Sequence, residues 1–457
     1  MADREARRVV VAGASGFVGR ALVAALVSAG HDVTALARHP IETAGSRAHA
    51  VDVGDERALA GALIGVDVAY YLVHSMAGGG FRTRDRVLAE HFGAAAAAAG
   101  VSRVIYLGGL GDEPSSEHLA SRHEVGVALA AAGVPVVELR AAVVLGSGSI
   151  SFEMLRYLTE RLPFMVCPRW VHTEIQPIAL DDMVAYLLTA LDVSPGVYEV
   201  GGADVTTYRD MIGEYARVRG LRRRLIVNVP YLTPRLSSYW VDLVTPVDRR
   251  VSHALIESLG TPVVVRDRAR TDDAFGLTPM GLAAAIGAAL EAQARTIDRD
   301  LLDRATGLLD GVYTTRSAMA VPHEQRAAVD ADLNDIGASY EWYGLPLAWR
   351  ARALLGRLAG ERWRLRRPAE VRTGEPVDWW TITRRDPGTL VLRAVGWAPG
   401  EGWLGYRVDD HQLVQVGSLR PKGLPGFLYW KLLQPVHTQV FHALARHRVQ
   451  RASLPRR

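Results

Sequence analysis

The chain has 457 residues, of which 49% are hydrophobic and 22% are charged, so its composition predicts a globular protein with room for two or three domains. Its 53 basic and 49 acidic residues give a formal net charge of +4, and we find no nucleic-acid-binding motif. The single cysteine, Cys167, excludes an intrachain disulfide. No apolar run has signal-peptide character or approaches the ~20 residues of a membrane helix. We therefore expect a cytoplasmic protein without a membrane span.

A glycine-rich turn between an apolar run and a helical pattern is the strongest motif in the chain. Val9–Val11 is followed by Gly13-x2-Gly16-x2-Gly19 and then by the apolar run 21–26. In a Rossmann unit the first glycine permits the tight turn, the second lets a pyrophosphate approach, and the third lets the helix pack on its strand. The spacing therefore predicts a dinucleotide-binding corner, whose remaining contacts would come from Ser15, Phe17 and Val18.

The first ~140 residues alternate short β-rich runs with helical segments, which is typical of a parallel sheet wrapped by helices. We predict six strands in a doubly wound α/β domain. They lie at Arg8–Ala12, Asp32–Ala37, Ala48–Val51, Val68–Leu72, Arg103–Leu107 and Val136–Leu139. The segment from Ala141 to about Arg295 is mixed and is expected to supply a small substrate-binding part.

The sequence texture changes near residues 300–310. An alternating strand at Thr314–Val321 precedes a helix that begins at Pro322, and further β-like runs lead to a long helix at Phe427–Arg446. This pattern predicts an α+β helix-grip fold over a cavity. We therefore predict two domains, residues 1–300 and residues 310–457.

Arg38 follows the second predicted strand, at the position that faces the adenosine ribose. An acidic residue there selects NAD through the 2′-hydroxyl, whereas an arginine can pair with a 2′-phosphate. Arg38 therefore favours NADP(H) as the cofactor. A solvated loop arginine, with NAD(H) as the cofactor, is the alternative.

Several motifs together resemble the atypical, NmrA-like branch of the extended short-chain dehydrogenases/reductases, over about residues 8–295. They are the glycine turn, Tyr70-Tyr71-Leu72-Val73-His74-Ser75-Met76, Tyr106-Leu107-Gly108-Gly109-Leu110-Gly111 and Ser121-Arg122-His123-Glu124-Val125-Gly126. Residues 310–457 resemble an uncharacterised bacterial domain that often follows this Rossmann type and is START/polyketide-cyclase-like. Its marks include Gly374-Glu375-Pro376-Val377-Asp378-Trp379-Trp380 and Arg420-Pro421-Lys422-Gly423-Leu424-Pro425-Gly426.

The resemblance implies where the cofactor would lie. An aspartate after the third strand commonly touches the adenine, although Asp52 could equally cap that strand. The end of the fourth strand lies beside the nicotinamide, which places Ser75 and Met76 next to the substrate. His74 is then either a candidate proton donor or no more than a hydrogen-bonded residue of the wall. The implied cofactor contacts are Asp52, Val53, Leu72, Val73, His74, Gly108 and Gly109.

The resemblance also exposes a departure at the catalytic centre. The family uses a tyrosine and a lysine spaced by three residues, and this chain has His118-x3-Arg122 instead. Its only lysines are Lys422 and Lys431. Arg122 could position the ribose, but an arginine does not titrate as a lysine does. His118, with an ordinary pKa near ~6.5, is the best remaining acid, unless both residues merely lie on the helix surface near the cleft.

These residues predict an NADP(H)-dependent oxidoreductase that transfers hydride to or from a hydrophobic carbonyl, enone or quinone. One alternative is a non-catalytic NADP(H) sensor or assembly protein, and another is a C-terminal domain that binds or cyclises a hydrophobic ligand. No Cys/His spacing predicts a metal site, and the oligomeric state is left open. Candidate substrate-pocket walls are Trp170, Gln176, Tyr239 and Trp240.

Overall fold

A computed structural model describes most of the chain, which packs as two compact units. One unit comprises Met1–Leu158 with Phe164–Leu290, and the other comprises Thr159–Pro163 with Glu291–Arg457. The sequence-based limits, 1–300 and 310–457, stay our proposal for independently folding domains. The described residues are 6–39, 43–74, 80–111, 116–229, 260–309, 311–334, 372–377, 380–395, 400–409 and 411–452.

The described elements run in the following order. Up to residue 300 they are β1 (Arg8–Ala12), α1 (Phe17–Ser28), β2 (Asp32–Ala37), β3 (Ser46–Ala50), α2 (Glu56–Leu63), β4 (Val68–Tyr71), α3 (Phe81–Ala98), β5 (Arg103–Gly109), α4 (Glu117–Ala131), β6 (Val136–Ala141), β7 (Val144–Leu145), α5 (Ile150–Arg161), β8 (Phe164–Cys167), β9 (Glu174–Ile175), β10 (Ile178–Ala179), α6 (Leu180–Thr189), β11 (Gly196–Val200), β12 (Thr206–Thr207), α7 (Tyr208–Val218), β13 (Leu225–Asn228), α8 (Arg268–Phe275) and α9 (Leu282–Asp300). After residue 300 come β14 (Gly307–Leu309), β15 (Val312–Ala320), α10 (Arg326–Asn334), β16 (Pro376–Val377), β17 (Trp380–Asp386), β18 (Thr389–Val395), β19 (Gly400–Val408), β20 (Gln412–Pro421) and α11 (Gly423–Ala452).

The first unit is built on a seven-stranded sheet in the order β11-β6-β5-β4-β1-β2-β3. Every neighbouring pair in this sheet is parallel. Successive strands are added in one direction from β1 to β3 and in the opposite direction from β4 onward, so the strand order reverses between β1 and β4. The predicted doubly wound α/β class is therefore confirmed. The sheet is one strand wider than the six predicted, because β11 adds to the edge beside β6.

Helices cover both faces of this sheet and bury two separate cores. One face packs on α1, α6 and α8, through residues such as Leu26, Leu187 and Phe275. The other face packs on α2, α3 and α4, where Phe92 is fully buried. Strands buried on both faces explain the nearly continuous apolar run at Val9–Val11.

Small differences from the predicted elements have local causes. Helix α3 begins at Phe81, directly after Gly80 in a left-handed conformation (φ +73°). Strand β3 is shifted to Ser46–Ala50 because it pairs in register with β2, from Val33 opposite Ser46 onward.

The second unit contains a seven-stranded antiparallel sheet in the order β14-β15-β20-β19-β18-β17-β16. The long helix α11 packs on one side of it, where a Cβ at Gly417 would lie 2.4 Å from the Phe441 ring. Residues 294–302 pack on the other side, against Val391, Trp403 and Val416. The predicted α+β architecture is confirmed, whereas the likeness to START-type domains stays a prediction.

Within the described part of the chain, no helix is long and apolar enough to cross a membrane.

Candidate functional site

A cleft of about 480 Å³ opens at the edge of the parallel sheet, between β1 and β4, where the strand order reverses. Its floor comes from the ends of four strands, at Gly13, Leu72, Gly108 and Ala141. Helices α1, α4, α5 and α7 all begin at its walls. Ligands of open α/β sheets bind at this carboxyl edge, beside the switch point.

The glycine turn forms one end of the cleft, and each glycine has a physical reason to be there. Gly13 has a φ of +85°, and a Cβ on it would lie 2.9 Å from the Leu72 carbonyl. A Cβ on Gly19 would lie 2.3 Å from the Gly13 carbonyl oxygen, so α1 could not approach its strand with any larger residue. Gly16 is exposed and has an ordinary φ of −71°. The space next to Gly16 is therefore available to a ligand.

The first turn of α1 supplies the groups that an anion needs. The leading N–H groups of a helix have no intrahelical acceptor, and the helix dipole favours negative charge there. Gly16, Phe17, Val18 and Arg20 from this turn line the cleft. A dinucleotide pyrophosphate therefore fits this corner, with its charge facing amide donors and a guanidinium.

Gly108 and Gly109 end β5 and continue the cleft floor beneath α4. A Cβ on Gly108 would lie 2.9 Å from Glu138, and one on Gly126 of α4 would lie 2.5 Å from the same carboxylate. Glu138 is buried and accepts a 2.6 Å hydrogen bond from Arg140. The glycines on both sides thus make room for a buried ion pair below the cleft.

Arg122 is held at the carboxyl end of β5. Its guanidinium donates a hydrogen bond to the Leu107 carbonyl, and its own backbone carbonyl accepts one of 2.8 Å from the Tyr106 hydroxyl. The guanidinium also lies 5.9 Å from the centre of the Tyr106 ring. A permanent cation is therefore fixed in the cleft wall where the resembling family has a titratable lysine.

His74 and His118 face each other in the cleft, with ring centres 6.4 Å apart. Burial and the Arg122 cation lower the pKa of His118 to about 4. This differs from the ordinary value expected from the sequence. Burial, Arg122 and His118 likewise lower the pKa of His74. Both rings are neutral at pH 7.

The cleft brings together most of the predicted cofactor and catalytic residues. His74, His118 and Arg122 meet in one wall, which the sequence could only suggest. The predicted residues that line the cleft are Gly13, Gly16, Phe17, Val18, Gly19, Leu72, His74, Gly108, Gly109, His118 and Arg122.

Other predicted cofactor residues lie away from the described lining. The Asp52 carboxylate accepts a 2.9 Å hydrogen bond from the Gly54 N–H, just after β3, which supports the strand-capping alternative. The Val53 side chain is buried in a core, where Val73 also packs. Arg38 is exposed after β2, and Ser15 lies within the glycine turn outside the lining.

The predicted substrate-pocket walls are less well supported. Gln176 is buried, and its amide donates to the Gly202 carbonyl at 2.7 Å and accepts from the Val265 N–H at 3.0 Å. Those two hydrogen bonds give it a structural role. The Trp170 side chain lies outside the described part, as do the residues Ser75, Met76, Tyr239 and Trp240.

Several lining residues were not predicted. Arg20 could have been found, because it directly follows the third glycine on the first turn of α1. Tyr208 and Val263 come from distant parts of the chain, and no local pattern marks them. Burial raises the pKa of the Tyr208 phenol above its ordinary value, so it stays protonated at neutral pH.

Two family models match separate parts of the chain. Residues 13–134 match a family described as NAD(P)H-binding. Residues 309–444 match a family described as a protein of unknown function (DUF2867). No curated protein sequence matches the chain.

Solved structures share the fold of the first unit. The crystal structure of gox2253 is 18% identical, with a TM-score of 0.51, and the match covers 64% of this chain and 99% of that one. MoeE5 in complex with UDP-glucose and NAD is 18% identical, with a TM-score of 0.50 over 64% of this chain and 99% of that one. WbmG from Bordetella bronchiseptica, in complex with NAD and UDP, is 16% identical, with a TM-score of 0.51 over 65% and 96%.

The fold, the glycine corner and the family match agree on a class. The first unit contains an NAD(P)-binding Rossmann domain. The second unit carries a domain of unknown function.

Proposed function

We propose that the protein is an NADP(H)-dependent oxidoreductase that exchanges hydride with a carbonyl compound carrying an apolar body. The observation that carries this proposal is the composition of the cleft wall. A dinucleotide corner, two neutral histidines and a fixed arginine share one cleft, and most of its remaining lining is apolar. The apolar residues include Leu110, Leu119, Val143, Ile150 and Val263.

The chain's own residues suit reduction of a conjugated carbonyl or a quinone. Bound at the glycine corner, the nicotinamide cofactor supplies or accepts hydride at the substrate carbon. Neutral His118 has one N–H, which can donate a hydrogen bond to the carbonyl oxygen, while Arg122 stabilises the negative charge that develops there. With its low pKa, His118 gives a hydrogen bond rather than its own proton at pH 7, so the proton that completes the product comes from water. Conjugation spreads the charge and lessens the need for a strong acid.

We further propose that Arg38 binds the 2′-phosphate of NADP(H) and so selects it over NAD(H). Arg38→Asp is expected to weaken NADPH binding by about 10- to 100-fold, since charge-assisted hydrogen bonds contribute roughly 1.5–3 kcal/mol. NADH affinity should change less than about threefold or improve, because an aspartate can accept from the ribose hydroxyl. Fluorescence titration with each nucleotide measures both effects.

The charge-matched control for that titration is Arg86→Asp on α3, an exposed residue that pairs with Glu90. It should leave both affinities unchanged. Equal losses for NADPH and NADH in Arg38→Asp would show that Arg38 does not discriminate the phosphate. No binding of either nucleotide by the unaltered protein would overturn the oxidoreductase proposal itself.

His118→Gln tests whether His118 donates the hydrogen bond to the substrate carbonyl oxygen. We expect kcat for NADPH-dependent reduction of an enone or quinone to fall about 10- to 100-fold, with NADPH affinity unchanged, because only a hydrogen bond to the developing charge is lost. In the unaltered protein kcat should be flat from pH 6 to 9, because both histidines titrate below that range.

His91→Gln is the matched control for this rate measurement, since His91 lies on α3 and contacts Glu56 at 3.3 Å. Its rate should equal that of the unaltered protein. The alternative outcome is a kcat that falls as the pH rises from 6 to 7 in the unaltered protein but not in His118→Gln. It would mean that the His118 ring has an ordinary pKa and acts as a proton donor.

A second candidate substrate class is a nucleotide sugar. No acidic side chain occurs among the described lining residues, and the first turns of α4 and α5 face the cleft beside α1, so a second anionic group would find favourable dipoles. MoeE5 and WbmG were solved with UDP-glucose and with UDP. Saturable binding of UDP-glucose to the NADPH-loaded protein, together with no saturable binding of a quinone, would favour this class.

A further inference from the structure

Within the residues that the structure describes, no element covers one apolar face of helix α11. Four large aliphatic side chains within nine residues are exposed: Leu428 by 47%, Leu432 by 76%, Leu433 by 37% and Val436 by 51%. Leu428, Leu432 and Val436 are spaced by four residues, so they form one stripe along the helix. Contiguous exposed apolar surface of this kind marks an interaction site.

The opposite face of α11 already holds the helix on its sheet. Trp430 and Leu444 are buried, and the Trp430 ring stacks on Tyr313 of β15 with centres 5.8 Å apart. Gln415 of β20 donates a 3.1 Å hydrogen bond to the Phe441 carbonyl. The aliphatic stripe is therefore not required to anchor the helix.

The charged side chains of α11 itself are all basic, whereas the Glu160 carboxylate accepts a hydrogen bond from the Gly423 N–H at the start of the helix. Helix α11 contains no aspartate or glutamate along its whole length. Lys422, just before the helix, is exposed, whereas the Lys431 ammonium lies 5.9 Å from the centre of the Tyr313 ring, on the side of the helix that packs on the sheet. Exposed His442 and Arg446 continue the basic character toward the end of the helix. A helix that combines a run of exposed aliphatic side chains with exclusively basic charges is typical of a membrane-surface element.

We propose that this face of α11 docks on an anionic phospholipid surface, with the helix lying in the plane of the headgroups. The aliphatic stripe would enter the headgroup–acyl boundary, while exposed Lys422 and Arg446 place their cationic groups among the phosphates. A protein partner fits less well, because protein interfaces are depleted in lysine, and their energetic centres are rich in tryptophan, tyrosine and arginine rather than leucine and valine. The proposal is independent of the oxidoreductase site.

Sedimentation with lipid vesicles tests the proposal on the full chain. The unaltered protein should sediment with vesicles rich in phosphatidylglycerol, much less with pure phosphatidylcholine, and less as salt is raised. The double variant Leu432→Glu/Val436→Glu should reduce the bound fraction at least about tenfold, since carboxylates on the stripe would face the same anionic surface. Because both positions are exposed, its melting temperature and NADPH affinity should stay unchanged.

The matched control carries the same two charges on exposed apolar positions of the first unit, Ile64→Glu/Val127→Glu, which are 79% and 69% exposed in the unaltered protein. It should sediment like the unaltered protein. Equal loss in the control would show a net-charge effect and overturn the assignment to α11, as would absence of sedimentation with anionic vesicles. Self-association in solution that only the α11 variant abolishes would assign the face to a second copy of the chain instead.

Discussion

Replacing Gly16 by valine is expected to abolish useful NADP(H) binding while leaving the fold intact. Its backbone has an ordinary φ of −71°, so a side chain introduces no conformational strain. A Cβ would meet only the Gly13 carbonyl oxygen at 3.2 Å, with the rest of the valine projecting into the space that a pyrophosphate needs. We expect affinity to fall at least about 1,000-fold, or about 4 kcal/mol.

Fluorescence titration gives the affinity, and thermal unfolding of the same samples verifies the fold. Gly61→Val on α2 is the control, because nothing lies within 4 Å of a Cβ there. It should bind NADPH normally. Binding by Gly16→Val within about tenfold of the unaltered protein would place the pyrophosphate elsewhere and contradict the corner described above.

Glu401→Gln is expected to destabilise the second unit by about 3–5 kcal/mol, because it removes the carboxylate that pairs with buried Arg420. Glu401 accepts hydrogen bonds from both Arg393, at 3.3 Å, and Arg420, which is 2% exposed. The two guanidinium groups lie 5.7 and 5.6 Å from the Trp403 ring centre. Glutamine keeps the shape but removes the negative charge between two cations.

Denaturant unfolding followed by tryptophan fluorescence measures this loss. Of the 10 tryptophans only Trp170 and Trp240 precede residue 310, so the signal reports chiefly on the second unit. Asp386→Asn in the same sheet is the control, since its partner Arg384 and Asp386 itself are about half exposed and such pairs contribute less than about 1 kcal/mol. Similar shifts in the two variants would mean that the Glu401 network is not specially stabilising.

Local patterns were enough to predict the dinucleotide corner and the fold class. The glycine spacing, the apolar run before it and the helix after it all arise within about twenty residues, where backbone sterics dominate. The strand ends at Leu72 and Gly108 follow from the alternation of elements. Comparison with known families confirmed the cofactor class at the level of NAD(P).

The electrostatics of the cleft could not be predicted in the same way. The low pKa of His118 depends on burial and on the Arg122 side chain, whose direction is set by its hydrogen bond to Leu107. Neither is visible in a run of residues. Tyr208 and Val263 reach the cleft through long-range packing, and the uncovered face of α11 becomes apparent only once its other face is placed on the sheet.

The strands of the two sheets become available for pairing at different stages of synthesis. All seven strands of the parallel sheet have been made once Val200 is complete, whereas β15 pairs with β20, with Thr314 opposite Ser418, 104 residues later. Until that strand leaves the ribosome, β15 has an open edge on the side where β20 will pair, and such edges promote aggregation. Stop codons or proteolytic nicks between the two strands should therefore yield chains that keep the nucleotide-binding half but depend on chaperones to stay dispersed.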